Sequence, residues 1–216
     1  MHKETIVHLG PEALHQVKLS SKQIHILETY LRLAAQIGVE EVTLQKLATQ
    51  AKVALGSVHY HFSAKKRELI DTAIRYVDQE SVRFINYQLE ERAASTDFKG
   101  IEEYINTLFD WIKHFPHHAQ FYIFFFYHSS VNSQYIELNR TYIDLMKSRI
   151  AGLIYLSAGR GIYPAFKNVE QLAEEIHSQV YGALVLFSFD ARPDRWEHYK
   201  SLAIRITEHL ISSYLA

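Results

Sequence analysis

The stretch from Val42 to Lys66, VTLQKLATQAKVALGSVHYHFSAKK, decides the fold of the N-terminal part of this chain. Apolar residues recur at helical spacing from Leu44 to Ala51 and predict a short helix, with Thr43 in the position of its N-cap. After a short break the apolar pattern restarts and runs to Phe62, which predicts a second short helix. Two short helices joined by a tight turn form a helix-turn-helix, whose second helix normally lies in the DNA major groove.

The outward face of this second helix is predicted to contact DNA. Its hydrogen-bonding and mostly aromatic side chains are Ser57, His59, Tyr60 and His61, and a pair of lysines follows at once. Contacts with phosphates need donors and cations, which favours Thr43 together with Lys65 or Lys66. Candidates for reading bases are Leu55, Ser57, Val58, His59 and Tyr60, because Leu and Val can contact thymine methyls while Ser and His bond to base edges. For Val58 core packing is the alternative, for Phe62 it is the preferred interpretation, and for Tyr60 both roles stay open.

The distribution of charge agrees with this interpretation. The 216-residue chain has a net charge of −1. Residues 1–76 contain 10 Lys and Arg against 7 Asp and Glu, whereas residues 77–216 contain 13 against 17. A basic N-terminal part beside a slightly acidic remainder is what a nucleic-acid-binding head on a larger body would show.

Composition excludes several classes of protein. The chain has no cysteine, which excludes disulfides, thiolate zinc sites and a cysteine nucleophile. No signal peptide opens the sequence, and no run approaches the roughly 18 apolar residues that a membrane span needs. The protein is therefore expected in the cytoplasm, without a membrane partner.

Helical periodicity continues along the whole chain. Residues 1–20 form a predicted arm, and a helix from Ser21 should end at Gly38. Ser63 is the predicted N-cap of a long helix to about residue 94, and further helices are predicted near 98–115, 117–130 and 133–158. Capping boxes at Asn168 with Gln171 and at Asp194 with Glu197 predict the starts of the last two helices.

No stretch alternates with period two, so the predicted fold class is all-α with about nine helices. We expect a three-helix DNA-binding domain over residues 21–70. A C-terminal ligand-binding and dimerisation domain is expected over residues 71–216.

The last two helices predict a two-fold homodimer. Residues 180–187, VYGALVLF, are apolar on every side, and the final helix has two apolar stripes. Helices with two apolar faces must be covered twice, and a four-helix bundle between two copies is the simplest arrangement. The predicted interface residues are Leu172, Ile176, Val180, Leu184, Ile204, Ile211 and Leu215. A larger monomeric core is the alternative.

A set of residues in register resembles the TetR family of bacterial transcriptional regulators. The matching positions are Ile26, Leu27, Gly38, Val42, Thr43, Leu47, Ala48, Ala51, Val53, Gly56, Ser57, Tyr60, His61, Phe62, Lys65 and Leu69. The resemblance implies a cytosolic homodimer, usually a repressor, that leaves a palindromic operator when a small molecule occupies its C-terminal domain. Lys52 stands where the family usually has Gly, Ala54 where Ser is common, His59 where most members have Tyr, and Glu68 where Leu is common.

The segment HFPHHAQFYIFFFYH, residues 114–128, is the candidate effector region. His114 and His118 are four residues apart, but Pro116 lies between them and no carboxylate completes a metal site, so we predict neither metal nor cofactor. The histidines around Pro116 are instead expected in a surface turn, followed by an apolar helix. In a TetR-like bundle, Phe121, Phe125 and His128 would form a pocket wall with Trp111, Tyr142, Met146 and Tyr181. Such a pocket suits a small hydrophobic or aromatic effector, although core packing is the preferred interpretation for any single one of these side chains.

The leading hypothesis is therefore a ligand-responsive repressor and not an enzyme. One alternative is a TetR-like protein controlled by a protein partner, without a small-molecule ligand. A remote alternative is a helical metal-dependent enzyme that uses the histidines, which no nucleophile–base pair or paired carboxylates support.

Overall fold

The computed structural model describes residues 16–95, 98–190 and 192–215, so most of the predicted N-terminal arm lies outside the described residues. Within them the chain forms nine α-helices: α1 (Ser21–Ile37), α2 (Leu44–Gln50), α3 (Leu55–Phe62), α4 (Lys66–Ala93), α5 (Gly100–His114), α6 (Pro116–Val131), α7 (Ser133–Gly159), α8 (Val169–Asp190) and α9 (Trp196–Ser213). The described ranges contain no strand beyond an isolated bridge between Phe166 and Leu215. The all-α prediction is confirmed.

Several predicted helix ends are confirmed by their hydrogen bonds. Gly38 ends α1 with a φ of 88°, a conformation that glycine adopts without a steric penalty. The Thr43 hydroxyl accepts from the Lys46 N–H at 3.1 Å and caps α2. The Asn168 side-chain oxygen accepts from the Gln171 N–H, also at 3.1 Å, at the start of α8.

Two predicted N-caps are wrong. Ser63 is instead the C-cap of α3, with a φ of 57°, and α4 begins later, at Lys66. The predicted box at Asp194 fails because Pro193–Arg195 forms a 3-10 turn and shifts the start of α9 to Trp196. The cap residue is then Arg195, which makes no capping hydrogen bond through its side chain.

The chain divides into two compact units. The N-terminal unit consists of the described residues of Ala13–Ser81 together with Phe115–Tyr135, and the C-terminal unit consists of Val82–His114 and the described residues of Ile136–Ala216. Helix α4 therefore contributes residues to both units. Helix α6, although it comes from the middle of the chain, belongs to the N-terminal unit, so these units cut across the expected boundary at residue 70.

The core of the N-terminal unit joins the helix-turn-helix to α1 and α6. Leu47 of α2, Val58 of α3 and Leu27 of α1 are completely buried. Helix α6 packs on α1, where the rings of Tyr30 and Phe121 meet edge to face with centroids 5.9 Å apart. Burial of these large apolar side chains is the main term that stabilises the unit.

The C-terminal unit has its own core, built from α5, α7, α8, α9 and the second half of α4. Leu89, Ile105, Ile150 and Ile176 are fully buried in it. A Cβ atom on Gly100 would lie 2.8 Å from the Ser157 hydroxyl, so glycine lets the start of α5 approach α7 closely. No helix among the described residues has the length and apolar character that a membrane span requires.

Candidate nucleic-acid interface and effector region

The turn between α2 and α3 is held by the backbone and by α1. The Val53 N–H donates to the Ala48 carbonyl at 3.0 Å, and a ring nitrogen of His25 lies 2.9 Å from the Ala51 carbonyl oxygen. Lys52 has a φ of 53°, in the left-handed region that costs a residue other than glycine about 1 kcal/mol. Ala54 is the N-cap residue of α3, and its methyl group cannot accept a capping hydrogen bond.

Helix α3 presents an exposed aromatic and polar face. Tyr60 is 85% exposed, His59 is exposed, and His61 is half-buried with its ring centroid 5.0 Å from that of Tyr60. Leu55 and Ser57 are half-buried on the same helix. This face of α3 is accessible to double-stranded DNA, because α3 packs on the core through its opposite face.

Val58 does not belong to that exposed face. Its side chain is 0% exposed, so the expectation that it contacts a thymine methyl is corrected to core packing. Val58 and Phe62 lie one helical turn apart and both point inward, which is the role preferred for Phe62 from the sequence. The candidates that α3 offers to bases are therefore Leu55, Ser57, His59 and Tyr60.

The residues proposed for phosphates differ in their surroundings. Thr43 is exposed at the start of α2, and Lys65 is exposed before α4. The Lys66 ammonium donates to the Glu40 carbonyl at 2.6 Å and lies 3.6 Å from the Glu40 carboxylate. Lys66 thus already ties the start of α4 to the loop before α2, whereas Lys65 is placed on the surface.

A hydrogen-bonded junction that the sequence did not reveal joins three helices of the N-terminal unit. One carboxylate oxygen of Glu28 on α1 accepts from the Tyr76 hydroxyl of α4 at 2.7 Å and lies 3.0 Å from Nε2 of His118 on α6. Burial by itself raises the pKa of the Glu28 carboxyl, but the hydrogen bonds from His118 and Tyr76 outweigh it and lower that pKa. His118 is 2% exposed, so its expected place in a surface turn is wrong.

The predicted effector residues are divided between the two units. Phe121 and Phe125 are buried and His128 is half-buried in the N-terminal unit. Trp111, Tyr142 and Met146 are buried and Tyr181 is half-buried in the C-terminal unit. In that second unit the Tyr104 hydroxyl donates to the Met146 sulfur at 3.8 Å, and Arg149 donates to the Asn86 side-chain oxygen at 2.7 Å.

An open cavity of about 780 Å³ lies between α7 and α8 in the C-terminal unit. Its lining includes the charged and amide side chains of Asp144, Lys147, Asn168, Glu170 and Glu174 beside apolar surface from Ala151, Tyr155 and Ala173. None of the predicted effector residues lines it. The chemistry of this cavity is therefore different from the apolar pocket expected from the aromatic segment.

Comparison with known proteins agrees with the geometry of the N-terminal unit. Residues 26–73, which run from α1 through the helix-turn-helix into α4, match the family model described as bacterial regulatory proteins, tetR family. The chain carries the DNA-binding head of the TetR family. The matched residues include every exposed candidate for DNA contact named above.

Solved structures share the TetR fold over nearly the whole chain. A TetR transcription regulator from Haloarcula marismortui superposes with a TM-score of 0.74 over 92% of this chain and 100% of that one, at 14% identity. FadR, a fatty acid degradation regulator from Bacillus halodurans, gives 0.67 over 90% and 97% at 15% identity. SmeT in complex with triclosan gives 0.67 over 91% and 93%, also at 15% identity. At these identities the likeness shows the fold.

A curated relative adds the class of protein. YuxN of Bacillus subtilis, described as an uncharacterized HTH-type transcriptional regulator, is 26% identical over 81 residues. The matched part covers 38% of this chain and 28% of the relative. The family match over residues 26–73, the shared fold and this relative make the chain similar to TetR-type transcriptional regulators.

The residues expected at a TetR-type dimer interface are mostly covered within the chain itself. Leu172, Ile176 and Val180 on α8 and Ile211 on α9 are at most 4% exposed in the core of the C-terminal unit, while Leu184, Ile204 and Leu215 are partly buried against it. A different part of α8 is open, with Leu186 at 56% and Phe189 at 71% exposure. Ile206 on α9 is 39% exposed.

Proposed function

We propose that this TetR-family regulator is a repressor that binds a palindromic operator as a homodimer and is released by a small hydrophobic or aromatic ligand. The observation that carries the DNA-binding part is the exposed face of α3, with His59 and Tyr60 directed away from a core anchored by Val58. Thr43 and Lys65 flank that face, where the phosphate backbone of a bound duplex would pass.

The proposed dimer uses the exposed apolar residues of the last two long helices. Leu186 and Phe189 are three residues apart on α8, and Ile206 lies on α9, which packs against α8. Apolar side chains of this size are usually covered by a partner when they are adjacent. A two-fold arrangement of α8 and α9 would present two copies of α3 to successive major grooves.

The proposed effector response is a shift between two conformers of the dimer. A ligand that prefers the conformer with wrongly spaced recognition helices lowers the affinity for the operator. Helix α4 is the proposed link, because it contributes residues to both units. SmeT, which shares the fold, was solved with the small aromatic molecule triclosan, and this supports an aromatic effector for the present chain.

Control by a protein partner remains the second candidate, and the burial of the aromatic residues favours it. Phe121, Phe125 and Tyr142 are each at most 3% exposed, as in a filled core. A thermal melt against a library of hydrophobic and aromatic compounds separates the candidates. A saturable rise in melting temperature supports the small-molecule effector, whereas a library-wide absence of shifts supports the protein partner.

The decisive experiment is selection of bound duplexes from a random DNA pool by the purified protein. We expect an inverted repeat whose half-sites lie about 10 base pairs apart, or a multiple of that spacing. Enrichment of one half-site alone would contradict the dimer, and recovery of no DNA would contradict the regulator.

Lys65→Ala tests the phosphate contact in the same assay. The variant should bind all duplexes more weakly, by a similar factor. The slope of log affinity against log salt should become less steep by the contribution of about one released counterion. Lys167→Ala, which removes an exposed lysine from the C-terminal unit, is the matched control and should leave the affinity unchanged. A loss of affinity confined to one selected sequence would instead assign Lys65 to base reading.

A further inference from the structure

The glycine at position 56 is not required by the fold of the N-terminal unit. Gly56 is the second residue of α3 and is exposed to solvent. Positive φ angles among the described glycines occur at Gly38 and Gly161, so the backbone of Gly56 has a conformation open to any residue. A Cβ atom on Gly56 would have open space around it, since no heavy atom of another described residue lies within 4 Å beyond the local helix and its chain neighbours.

Glycine at this position weakens α3. It is the poorest helix former after proline, because it loses the most backbone freedom on folding. Helix α3 has only eight residues and receives no capping hydrogen bond from the side chain of Ala54. Gly100 differs, because a Cβ atom there would lie 2.8 Å from the Ser157 hydroxyl. A helical glycine without such an internal reason is explained by a bound molecule that approaches the backbone closely.

Gly56 lies on the face of α3 that is proposed to contact DNA. His59 and Tyr60 follow it by three and four residues, so the three positions share one side of the helix. The ring of Tyr60 leaves the space over Gly56 open and instead meets the ring of His61, with centroids 5.0 Å apart. The exposed face therefore has a gap at the N-terminal end of α3.

The side chains of α3 need a close approach to reach bases. Helix α3, LGSVHYHF, contains no Arg, Lys, Asn or Gln, the long side chains that read purines through pairs of hydrogen bonds. Its first candidates for base contact, Leu55 and Ser57, are short and half-buried. The helix backbone must come nearer to the base pairs before such side chains touch them, and Gly56 lies between these two residues.

We propose that Gly56 is a specificity-determining residue, at which the edge of an operator base pair lies directly against the backbone of α3. This inference rests on the proposed DNA-binding function and adds a contact that depends on the absence of a side chain. In helix-turn-helix complexes the first residues of the recognition helix contact base edges, and Gly56 is the second residue of α3. A methyl group at this position would hold the helix away from the groove floor.

Gly56→Ala places that methyl group in the gap. The melting temperature of the full-length protein should rise by about 1–4 °C, because alanine is the better helix former. Fluorescence anisotropy at constant salt measures the affinity for a duplex recovered by selection from the random pool and for a duplex of random sequence. The ratio of these two affinities should fall at least about fivefold, as expected when a methyl group is forced into a packed contact.

Gly152→Ala is the matched control. Gly152 is also exposed and helical, and a Cβ atom on it would meet no heavy atom of another described residue within 4 Å beyond the local helix. It belongs to α7 in the C-terminal unit, away from the recognition helix along the chain. The control should raise the melting temperature by a similar amount, about 1–4 °C, and should leave the ratio of affinities unchanged.

Each outcome decides the proposal. A reduced ratio of affinities without a fall in melting temperature supports the contact at Gly56. An unchanged ratio, which includes an equal loss of affinity for both duplexes, overturns the contact with a base pair and leaves DNA binding in place. A melting temperature lowered by Gly56→Ala but not by Gly152→Ala also overturns it, because the fold itself would then need the glycine. If the unaltered protein recovers no duplex from the pool, the proposed function fails and this contact fails with it.

Discussion

Lys52 holds the turn between α2 and α3 in a left-handed backbone conformation, with a φ of 53°. A side chain with a Cβ atom is strained there, and glycine is not. Lys52→Gly should therefore raise the free energy of unfolding by about 0.5–1 kcal/mol, despite the extra backbone freedom that glycine has in the unfolded chain. Urea denaturation of the purified protein measures the change.

A second glycine substitution gives the control. Lys46→Gly, at the third residue of α2, should lower the free energy of unfolding by about 1 kcal/mol, because glycine is a poor helix former. Equal destabilisation by both variants would show that the turn gains nothing from glycine. The exposed base-reading candidates of α3 are unchanged in both proteins, so their DNA affinity reports whether turn strain influences recognition.

His177 links the stability of the C-terminal unit to pH. Burial, aided by the nearby charge of Lys147, lowers the pKa of His177 to about 4. His177 therefore takes up a proton near pH 6.5 in the unfolded chain but stays neutral in the folded chain until about pH 4. The free energy of unfolding falls as the pH drops from about 6.5 towards 4. At pH 5 this residue alone should cost about 2 kcal/mol relative to pH 7.

Substitution of His177 isolates that contribution. His177→Gln should reduce the loss of stability between pH 7 and pH 5 by about 2 kcal/mol, measured by urea denaturation at each pH. His198→Gln, an exposed histidine on α9, should leave the loss unchanged. If both variants lose stability as steeply as the unaltered protein, His177 is not held neutral by the fold.

At the scale of elements, the junction at Glu28 fastens α6 to α1 and α4. The lowered pKa of Glu28 means that its contribution is complete above its usual range near 4.5 and is lost as the pH falls below it. Glu28→Gln should lower the free energy of unfolding by about 1 kcal/mol at pH 7, because hydrogen bonds to a charged acceptor are the stronger ones.

The difference between the two proteins should shrink as the pH falls below 4.5, because Glu28 takes up a proton first in the unfolded chain and only at lower pH in the folded one. Glu208→Gln, at an exposed position on α9, is the control and should be neutral at every pH. A Glu28→Gln difference that stays constant down to acidic pH would mean that its carboxylate charge does not stabilise the junction.

Local patterns predicted the helix-turn-helix correctly because its signals lie close together in the chain. The cap at Thr43 and the apolar spacing of α2 and α3 depend on immediate neighbours. The junction between Glu28 and His118 depends on residues 90 positions apart, and periodicity contains no information about that pairing. The sequence therefore did not predict that α6, a helix from the middle of the chain, belongs to the N-terminal unit.

Helix α8 shows a second limit of sequence patterns. Its residues 180–187 are apolar on every side, so the pattern predicts two covering layers without saying which residues face which layer. The stripe through Leu172, Ile176 and Val180 packs inside the C-terminal unit, and the exposed side carries Leu186 and Phe189. Solvent exposure in the folded chain, and not hydrophobicity alone, separates the two faces.

At the scale of the whole molecule, the exposed face of α8 makes the proposed dimer testable. Phe189→Glu together with Leu186→Glu would place two carboxylates in the proposed interface, where an unpaired buried charge costs several kcal/mol. We expect a folded monomer by sedimentation equilibrium, since both side chains are already exposed within one chain. Val131→Glu, at a 64% exposed apolar residue of α6, is the control and should leave the dimer intact.

The same variant connects assembly to DNA recognition. A dimer on an inverted repeat gains from the second half-site at the high effective concentration set by its partner, and a monomer loses that gain. The α8 variant should therefore bind a full palindrome only as tightly as an isolated half-site, whereas the unaltered protein should prefer the palindrome by at least about a hundredfold. A variant that is monomeric yet keeps this preference would show that the two heads bind independently of α8, and the geometry of the operator would then have to be set by another surface.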